Sequence, residues 1–259
     1  MKIPAICVTA SGESNTDSGM SRFLEYVESF DQNHASPRMR VYPGLRSTPW
    51  HDPSLFPIVV ILEREFEGIR REILALNAPD FHPESENIRR TGSWDVSFFY
   101  ELGKKNVENC ARCPLITTIV ETHNTIRSLA GLIYVSRMSP GTHIAPHQAS
   151  TNMRVRCHLA IQVPPGDCAL QVGGETRPWI EGKCSVFDDH FRHEAWNYTS
   201  GERIVLIVDL WNPDLSPKEI ALLEGMHRYA SAYAQHLNRY WSTNEEARHV
   251  ARMAERNEM

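Results

Sequence analysis

The sequence predicts a mainly β domain with helical flanks, a double-stranded β-helix of the jelly-roll, cupin-like kind. Two observations predict it. From Gly131 onward the hydrophobic period is two, in the short runs GLIYVSRM, MRVRCHLAIQV, CALQV, CSVF and RIVLIVDL, divided by Pro and Gly turns. Short strands at that spacing build a double sheet or a barrel. On either side of that stretch the period is helical, in residues 56–76 and in the segment after Trp211, which puts helices around the roll.

In chain order, residues 1–37 are polar and rich in Ser, Asn and Asp. Only SRFLEYVESF, residues 21–30, has helical spacing, so a loosely packed arm is expected. Residues 40–53, RVYPGLRSTPWHDP, are dense in Pro, Gly and aromatics, the composition of an extended, ordered loop. Residues 56–76 place Leu62, Phe66, Ile69, Ile73 and Leu76 on one helical face with charges opposite, a helix that packs on a sheet. Residues 77–92 read as a loop and SWDVSFFYEL, residues 93–102, as a strand. Residues 113–126 are a helix or a mixed segment, given their Thr and Ile content. After Trp211, residues 212–241 and 244–257 are helical. Ser216-Pro217 supplies an N-cap followed by Pro at the first helical position. There is no internal repeat and no low-complexity linker, so one domain with helical flanks is expected.

Length and composition bound the function. The 259 residues suffice for one large or two small domains, and 41% hydrophobic with 23% charged residues is ordinary for a soluble chain. A net charge of −5 gives no global basic field for a nucleic-acid polymer, although local arginine clusters still suit a small anion. No apolar run approaches the roughly 20 residues that span a bilayer. The start, MKIPAICVTASGES, lacks the apolar core of a signal peptide. A cytoplasmic protein acting on a small molecule, with no membrane or nucleic-acid partner, is expected. The six cysteines, Cys7, Cys110, Cys113, Cys157, Cys168 and Cys184, then read as reduced thiols. Cys110-x-x-Cys113 has zinc-knuckle spacing without a second pair and reads as incidental.

Chemistry concentrates between residues 140 and 211. Along 153–163 side chains two apart share a face. Val155, Cys157, Leu159 and Ile161 make a core face, while Arg154, Arg156, His158 and Ala160 point the other way. A basic face in the middle of an apolar sheet is either solvated or part of a site. Nearby are His147 and His193, with Arg203 downstream. His143 and His190 compete with them, and spacing alone does not separate the four.

From residue 40 to about residue 217 the sequence resembles the aspartyl/asparaginyl β-hydroxylase family of Fe(II)/2-oxoglutarate oxygenases. The blocks that carry the resemblance are VYPGLRSTPW, the segment 94–103, MSPGTHIAPH, TNMRVRCHL, GGETRPW, FDDHFRHEAW and RIVLIVDLWNP. Together they span about two-thirds of the chain. The resemblance implies an oxygenase roll over 40–217, between an arm at 1–39 and C-terminal helices at 218–259 packed on the same domain. It implies that His147 and His193 bind the metal and that Arg203 grips a 2-oxoglutarate carboxylate, a task suited to a buried guanidinium fork. Ser136, Arg156 and His158 match further residues around the co-substrate, and Trp94 and Met138 match positions lining the same pocket. The implied cofactors are Fe(II), 2-oxoglutarate and O₂.

A non-haem iron site usually has two His and one carboxylate, with the carboxylate two residues after the first His. Here that residue is Ala149, whose methyl cannot ligate. In the resembling hydroxylases the position is Gly. In Fe(II)/2-oxoglutarate halogenases it is Ala or Gly, and chloride fills the gap. Both routes decarboxylate 2-oxoglutarate to succinate and CO₂ and attack a substrate C–H bond, and the carbon radical then takes OH or Cl. Ala149 therefore favours chlorination, with chloride as a further ligand, and hydroxylation is the alternative. Asp188 and Asp189, in FDDHF, read as a turn or as support for a ligand histidine. Arg38, Arg40, Arg46, Arg89, Arg90, Arg154 and Arg177 lie on or near the expected pocket loops. Arg177 and Trp179, with Arg46, are the candidates for holding an anion and a flat ring, which favours a small anionic metabolite such as an amino acid or a nucleotide. Family members that act on protein domains carry long additional modules that are not expected here. A non-catalytic jelly-roll binding protein would be expected to have lost Arg203 or a histidine, and all three remain. The sequence is silent on oligomeric state.

Overall fold

A strand with two apolar faces must be covered on both, and RIVLIVDLW is buried at all nine positions. In the computed structural model, which describes residues 18–32, 41–84 and 87–243, this strand is central in the larger of two sheets. The elements are α1 (Ser18–Gln32), β1 (Trp50–His51), α2 (Pro57–Arg64), α3 (Phe66–Leu74), β2 (His82–Pro83), β3 (Arg89–Thr91), β4 (Trp94–Glu101), β5 (Lys104–Lys105), α4 (Val107–Arg112), α5 (Pro114–Thr122), β6 (Leu132–Met138), β7 (Thr142–His147), β8 (Arg154–Gln162), β9 (Cys168–Val172), β10 (Glu175–Pro178), β11 (Cys184–Phe187), β12 (His193–Asn197), β13 (Arg203–Trp211) and α6 (Pro217–Thr243). The larger sheet runs β1-β11-β8-β13-β6-β4-β2, with β5 on β4, and the smaller runs β10-β9-β12-β7-β3. The named strand pairs are antiparallel. Two facing antiparallel sheets joined in this way are the jelly roll expected from the period-two runs.

Alternation along β8 separates two cores. Val155, Cys157, Leu159 and Ile161 point outward and pack with Leu62, Ile69 and Ile73 of α2 and α3 and with Ile116 and Val120 of α5. The inward face carries Ala160, which joins Trp94, Val96, Met138, Val205 and Ile207 of the larger sheet and Ile144, Leu170, Val172 and Ala195 of the smaller. A third cluster joins Tyr26 of α1, Tyr42, Trp211 and Leu223 of α6. There Glu219, fully buried, accepts hydrogen bonds from Arg22 (2.7 Å) and from the Tyr42 hydroxyl (2.8 Å).

Some expectations change in detail. The helix over 56–76 is two helices, bent at Glu65 with φ −88° and ψ 11°. The Glu65 N–H still donates to the Ile61 carbonyl at 2.9 Å, so the bend changes direction without interrupting the bonding, and Leu62 and Ile69 on either side of it are fully buried. The expected loop 77–92 contains β2 and β3. Strands β7, β10 and β12 carry no simple alternation of hydrophobicity. THIAPH and HEAWN turn one face to solvent and the other to a polar cavity, so both faces bear polar residues. Ser216 does cap α6: its hydroxyl accepts from the Glu219 N–H (3.3 Å) while the Glu219 carboxylate accepts from the Ser216 N–H (2.8 Å). Cys110, Cys113, Cys157, Cys168 and Cys184 are free thiols. Cys7, Arg38, Arg40 and the helix expected over 244–257 lie outside the described residues. Among the described residues, no helix is long and apolar enough to cross a membrane.

Candidate active site

Antiparallel register puts the two histidines side by side. His147 ends β7, His193 begins β12, and they are directly paired. Their ring centroids are 4.0 Å apart. The carbonyls of Ala145 and Phe191, each two residues back, hold the Nδ1 atoms of His147 and His193 at 2.8 Å. That contact orients each ring and makes Nδ1 the nitrogen that meets the backbone. Burial, and His147 close by, push His193 down to about 3, so it stays neutral as a ligand must. His143 and His190 are placed elsewhere. His143 bonds Glu194 (2.8 Å) and the Tyr198 hydroxyl (3.0 Å), and His190 Nδ1 donates to the Ala149 carbonyl (3.0 Å).

Among the described residues, no group of three or more His, Cys, Asp or Glu gathers as a metal site. Among the described residues, His147 and His193 are thus not joined by a third side chain of these types. The Ala149 N–H donates to the Asp189 carbonyl at 2.7 Å, which pins the loop after His147 to the turn before β12. The Asp189 carboxylate faces Arg154 (2.8 Å) and Arg156 (3.6 Å), and Asp188 Oδ1 accepts the His190 N–H (2.9 Å). Asp188 thus closes the turn before β12, while the Asp189 carboxylate meets the arginines.

Between the sheets lies a cavity of about 40 Å³. Its wall includes His147, His193, Trp94, Ser136, Arg156, His158, Trp179 and Arg203. Arg203, the first residue of β13, is 2% exposed. Its two Nη atoms donate to Ser136 Oγ at 3.4 and 3.3 Å, and the same oxygen takes the Trp94 indole N–H at 2.9 Å. Its Nε has no partner among the described residues. Burial pulls its guanidinium down to about 10. Arg156, also on the wall, is compensated by Asp209 at 2.8 and 3.1 Å. His158 accepts the Trp179 indole N–H on Nδ1 (3.3 Å), and its buried Nε2 has no partner. A buried arginine without a carboxylate, beside a second orphaned donor, is a cradle for an anion with several oxygens. Two imidazoles nearby, that of His193 held neutral, suit Fe(II) and would leave coordination positions for such an anion. These residues fit Fe(II) with 2-oxoglutarate.

Three expected positions do not reach the cavity. Met138 is opposite Arg203 in register but fully buried in the inter-sheet core. Arg177 sits on the exposed edge strand β10, bonded to Glu175 (2.8 Å) and lying over the Trp50 ring at 4.5 Å. Arg46 is bonded to the Asp214 carboxylate at 2.9 Å. Trp179, expected to hold a substrate ring, instead packs against His158 and Arg203. The sequence reading missed Tyr134, Phe187 and Ile207 on the wall. Alternation could have found Tyr134, two residues before Ser136, and Asp209, on the same face of β13 as Val205 and Ile207.

A double-stranded β-helix that pairs two histidines across one sheet and buries an uncompensated arginine on the other has the architecture of the Fe(II)/2-oxoglutarate oxygenase class. Within that class, the family model described as aspartyl/asparaginyl beta-hydroxylase matches residues 63–213, more than half of the chain. The chain belongs to that family. The aspartyl/asparaginyl beta-hydroxylase of Homo sapiens is 38% identical over 183 residues, 68% of this chain and 24% of that protein. The ornithine lipid ester-linked acyl 2-hydroxylase of Rhizobium tropici is 31% identical over 188 residues, 68% of this chain and 65% of that protein. This chain thus spans about a quarter of the human relative's length. A solved 2OG-Fe(II) oxygenase-family oxidoreductase from Burkholderia pseudomallei overlaps 56% of this chain and 78% of that one at a TM-score of 0.43 and 15% identity. Both curated relatives are named as hydroxylases, and neither name supports the chlorination or the chloride expected from Ala149.

Proposed function

We propose that this chain is an Fe(II)- and 2-oxoglutarate-dependent oxygenase that hydroxylates a C–H bond of a small anionic substrate. The observation that carries the reading is Arg203: a fully enclosed guanidinium with an unpartnered Nε, on the same cavity wall as His147 and His193. When bound, iron with 2-oxoglutarate and O₂ would supply the oxidant that removes the substrate hydrogen, with 2-oxoglutarate leaving as succinate and CO₂. The protein's share is to present the Nε2 atoms of His147 and His193. Arg203 and Ser136 take one carboxylate of the co-substrate, and His158 and Arg156 supply further donors on the same wall. Trp94, by donating to Ser136 Oγ, fixes that hydroxyl beside Arg203. The surrounding apolar residues, among them Ile144, Leu170, Phe187 and Ile207, exclude water and strengthen each of these contacts.

Hydroxylation is preferred to chlorination because the family and its named relatives are hydroxylases. Ala149 alone favours chlorination, and one assay separates the two. Protein loaded with Fe(II) and 2-oxoglutarate under nitrogen, at saturating chloride, is exposed to O₂ with candidate amino acids and other small carboxylates. Succinate should form with a product heavier by one oxygen. A product carrying chlorine would reverse the preference. Iron binding without succinate across the whole substrate panel would favour a binding protein. A small anionic substrate fits the arginines Arg89, Arg90 and Arg192, which are exposed.

A further inference from the structure

We propose that Trp179 is a positioning residue for the co-substrate, holding His158 in one tautomer and Arg203 in one plane. The inference rests on the functional reading above and deepens it.

The tautomer follows from donor arithmetic. An indole nitrogen can only donate, so the bond from Trp179 Nε1 to His158 Nδ1, at 3.3 Å, makes Nδ1 an acceptor. His158 is held neutral by burial and by Arg156 and Arg203. A neutral imidazole has one N–H, so the proton must sit on Nε2. That Nε2–H is buried and has no partner among the described residues. It is a donor held ready for an acceptor that enters the cavity. Were the tautomer reversed, Nε2 would offer a lone pair to an incoming carboxylate and repel it.

The same indole serves Arg203. The Trp179 and His158 rings lie within 16° of parallel with centroids 6.1 Å apart. The Arg203 guanidinium carbon stands over the indole ring, 4.9 Å from its centroid. A cation over an indole face is attracted by the ring's quadrupole. Arg203 Nε, like His158 Nε2, has no partner among the described residues. One side chain thus aligns two orphaned donors on one cavity wall.

The backbone makes this alignment stiff. The segment after Trp179 is tied to β8 by the Gly182 N–H to the Ala160 carbonyl (2.9 Å) and the Ala160 N–H to the Lys183 carbonyl (3.1 Å). Ala160 is two residues from His158 on the same strand, so the indole and the imidazole share one rigid support. Trp179 is 5% exposed and packs in the inter-sheet core. It meets the cavity as part of its wall, which is why it acts on the co-substrate side and is not a platform for a substrate ring.

The test replaces Trp179 with 3-benzothienylalanine, which keeps the ring's size and face but has sulfur in place of N–H. Trp179→Phe is the encoded companion, and thermal melting checks that each is folded. In the metal-free wild type, ring nitrogen shifts from ¹⁵N-histidine labelling should report a single Nε2–H tautomer for His158, assigned by comparison with His158→Gln. In the benzothienyl protein the two tautomers should mix. Calorimetric affinity of the Mn(II)-loaded protein for 2-oxoglutarate, without O₂, should fall about tenfold, the loss expected from one misoriented hydrogen bond to a charged group. A folded benzothienyl protein with an unchanged tautomer and unchanged affinity overturns the inference. A wild-type protein that binds no 2-oxoglutarate instead overturns the functional reading, and the tautomer measurement in the metal-free protein keeps the two failures apart.

Discussion

Arg203→Met should make the ligand-free protein more stable and the liganded protein impossible to form. The substitution removes a cation that burial has pulled down to about 10. At about 1.4 kcal/mol for each tenfold change in proton affinity, the enclosed charge is destabilising by on the order of 3 kcal/mol. Two terms work against the variant. The bonds to Ser136 Oγ, at 3.4 and 3.3 Å, are long, and the contact with the Trp179 ring is about 1–2 kcal/mol when desolvated. The balance is a gain of about 1 kcal/mol, a rise in melting temperature of about 2–4 °C for a domain of this size. In the wild type, metal with 2-oxoglutarate at a hundred times its dissociation constant should add about 2.7 kcal/mol, and the variant should gain nothing from 2-oxoglutarate. Differential scanning fluorimetry of both proteins, with Mn(II) and with and without 2-oxoglutarate, reads all four states. A ligand-free variant that melts several degrees lower would show that Arg203 is satisfied within the protein. A variant still stabilised by 2-oxoglutarate would show that the carboxylate is held elsewhere.

Three further outcomes are expected. His193→Ala should abolish iron-dependent succinate formation and weaken Mn(II) binding in calorimetry, and retained turnover would point to a different pair of ligands. Burial raises the Asp188 carboxyl to about 6, so the folded state keeps a proton that the unfolded chain sheds near its ordinary value. Its contribution to stability is full below the ordinary carboxylate value, at about pH 3, and is lost as pH rises from there through about 6. Asp188→Asn should therefore be neutral at about pH 3 and stabilising by about 3 kcal/mol at pH 8 in urea unfolding, and a variant less stable at pH 8 would contradict this. Asp209→Ala strands the buried Arg156, which it holds at 2.8 and 3.1 Å, and removes the acceptor for the Leu132 N–H at 2.9 Å. A loss of about 3–5 kcal/mol is expected in the same assay, and a loss below about 1 kcal/mol would mean that Asp189, 3.6 Å from Arg156, already compensates the charge.

The sequence determined more of the larger sheet than of the smaller. Strands β6, β8 and β13 are apolar enough to announce themselves, since their outer face is covered by α2, α3 and α5 and their inner face by the second sheet. Strands β7 and β12 are not, since their outward side chains meet solvent and their inward ones meet a polar cavity. The two histidines sit on those less legible strands, and family resemblance found them where periodicity could not.

The sequence by itself determined that a roll would form, that residue 149 carries a methyl and no carboxylate, and that Arg154, Arg156 and His158 share a face. Only the tertiary structure decided how those basic residues differ. Asp189 and Asp209 meet Arg154 and Arg156 from β13 and from the turn before β12, and they cancel those charges, while Arg203 meets Ser136 and an indole face and keeps its charge uncompensated. A strand's alternation fixes which side chains share a face through the local backbone. Which of them is left wanting a partner depends on residues tens of positions away, and so on how the two sheets close.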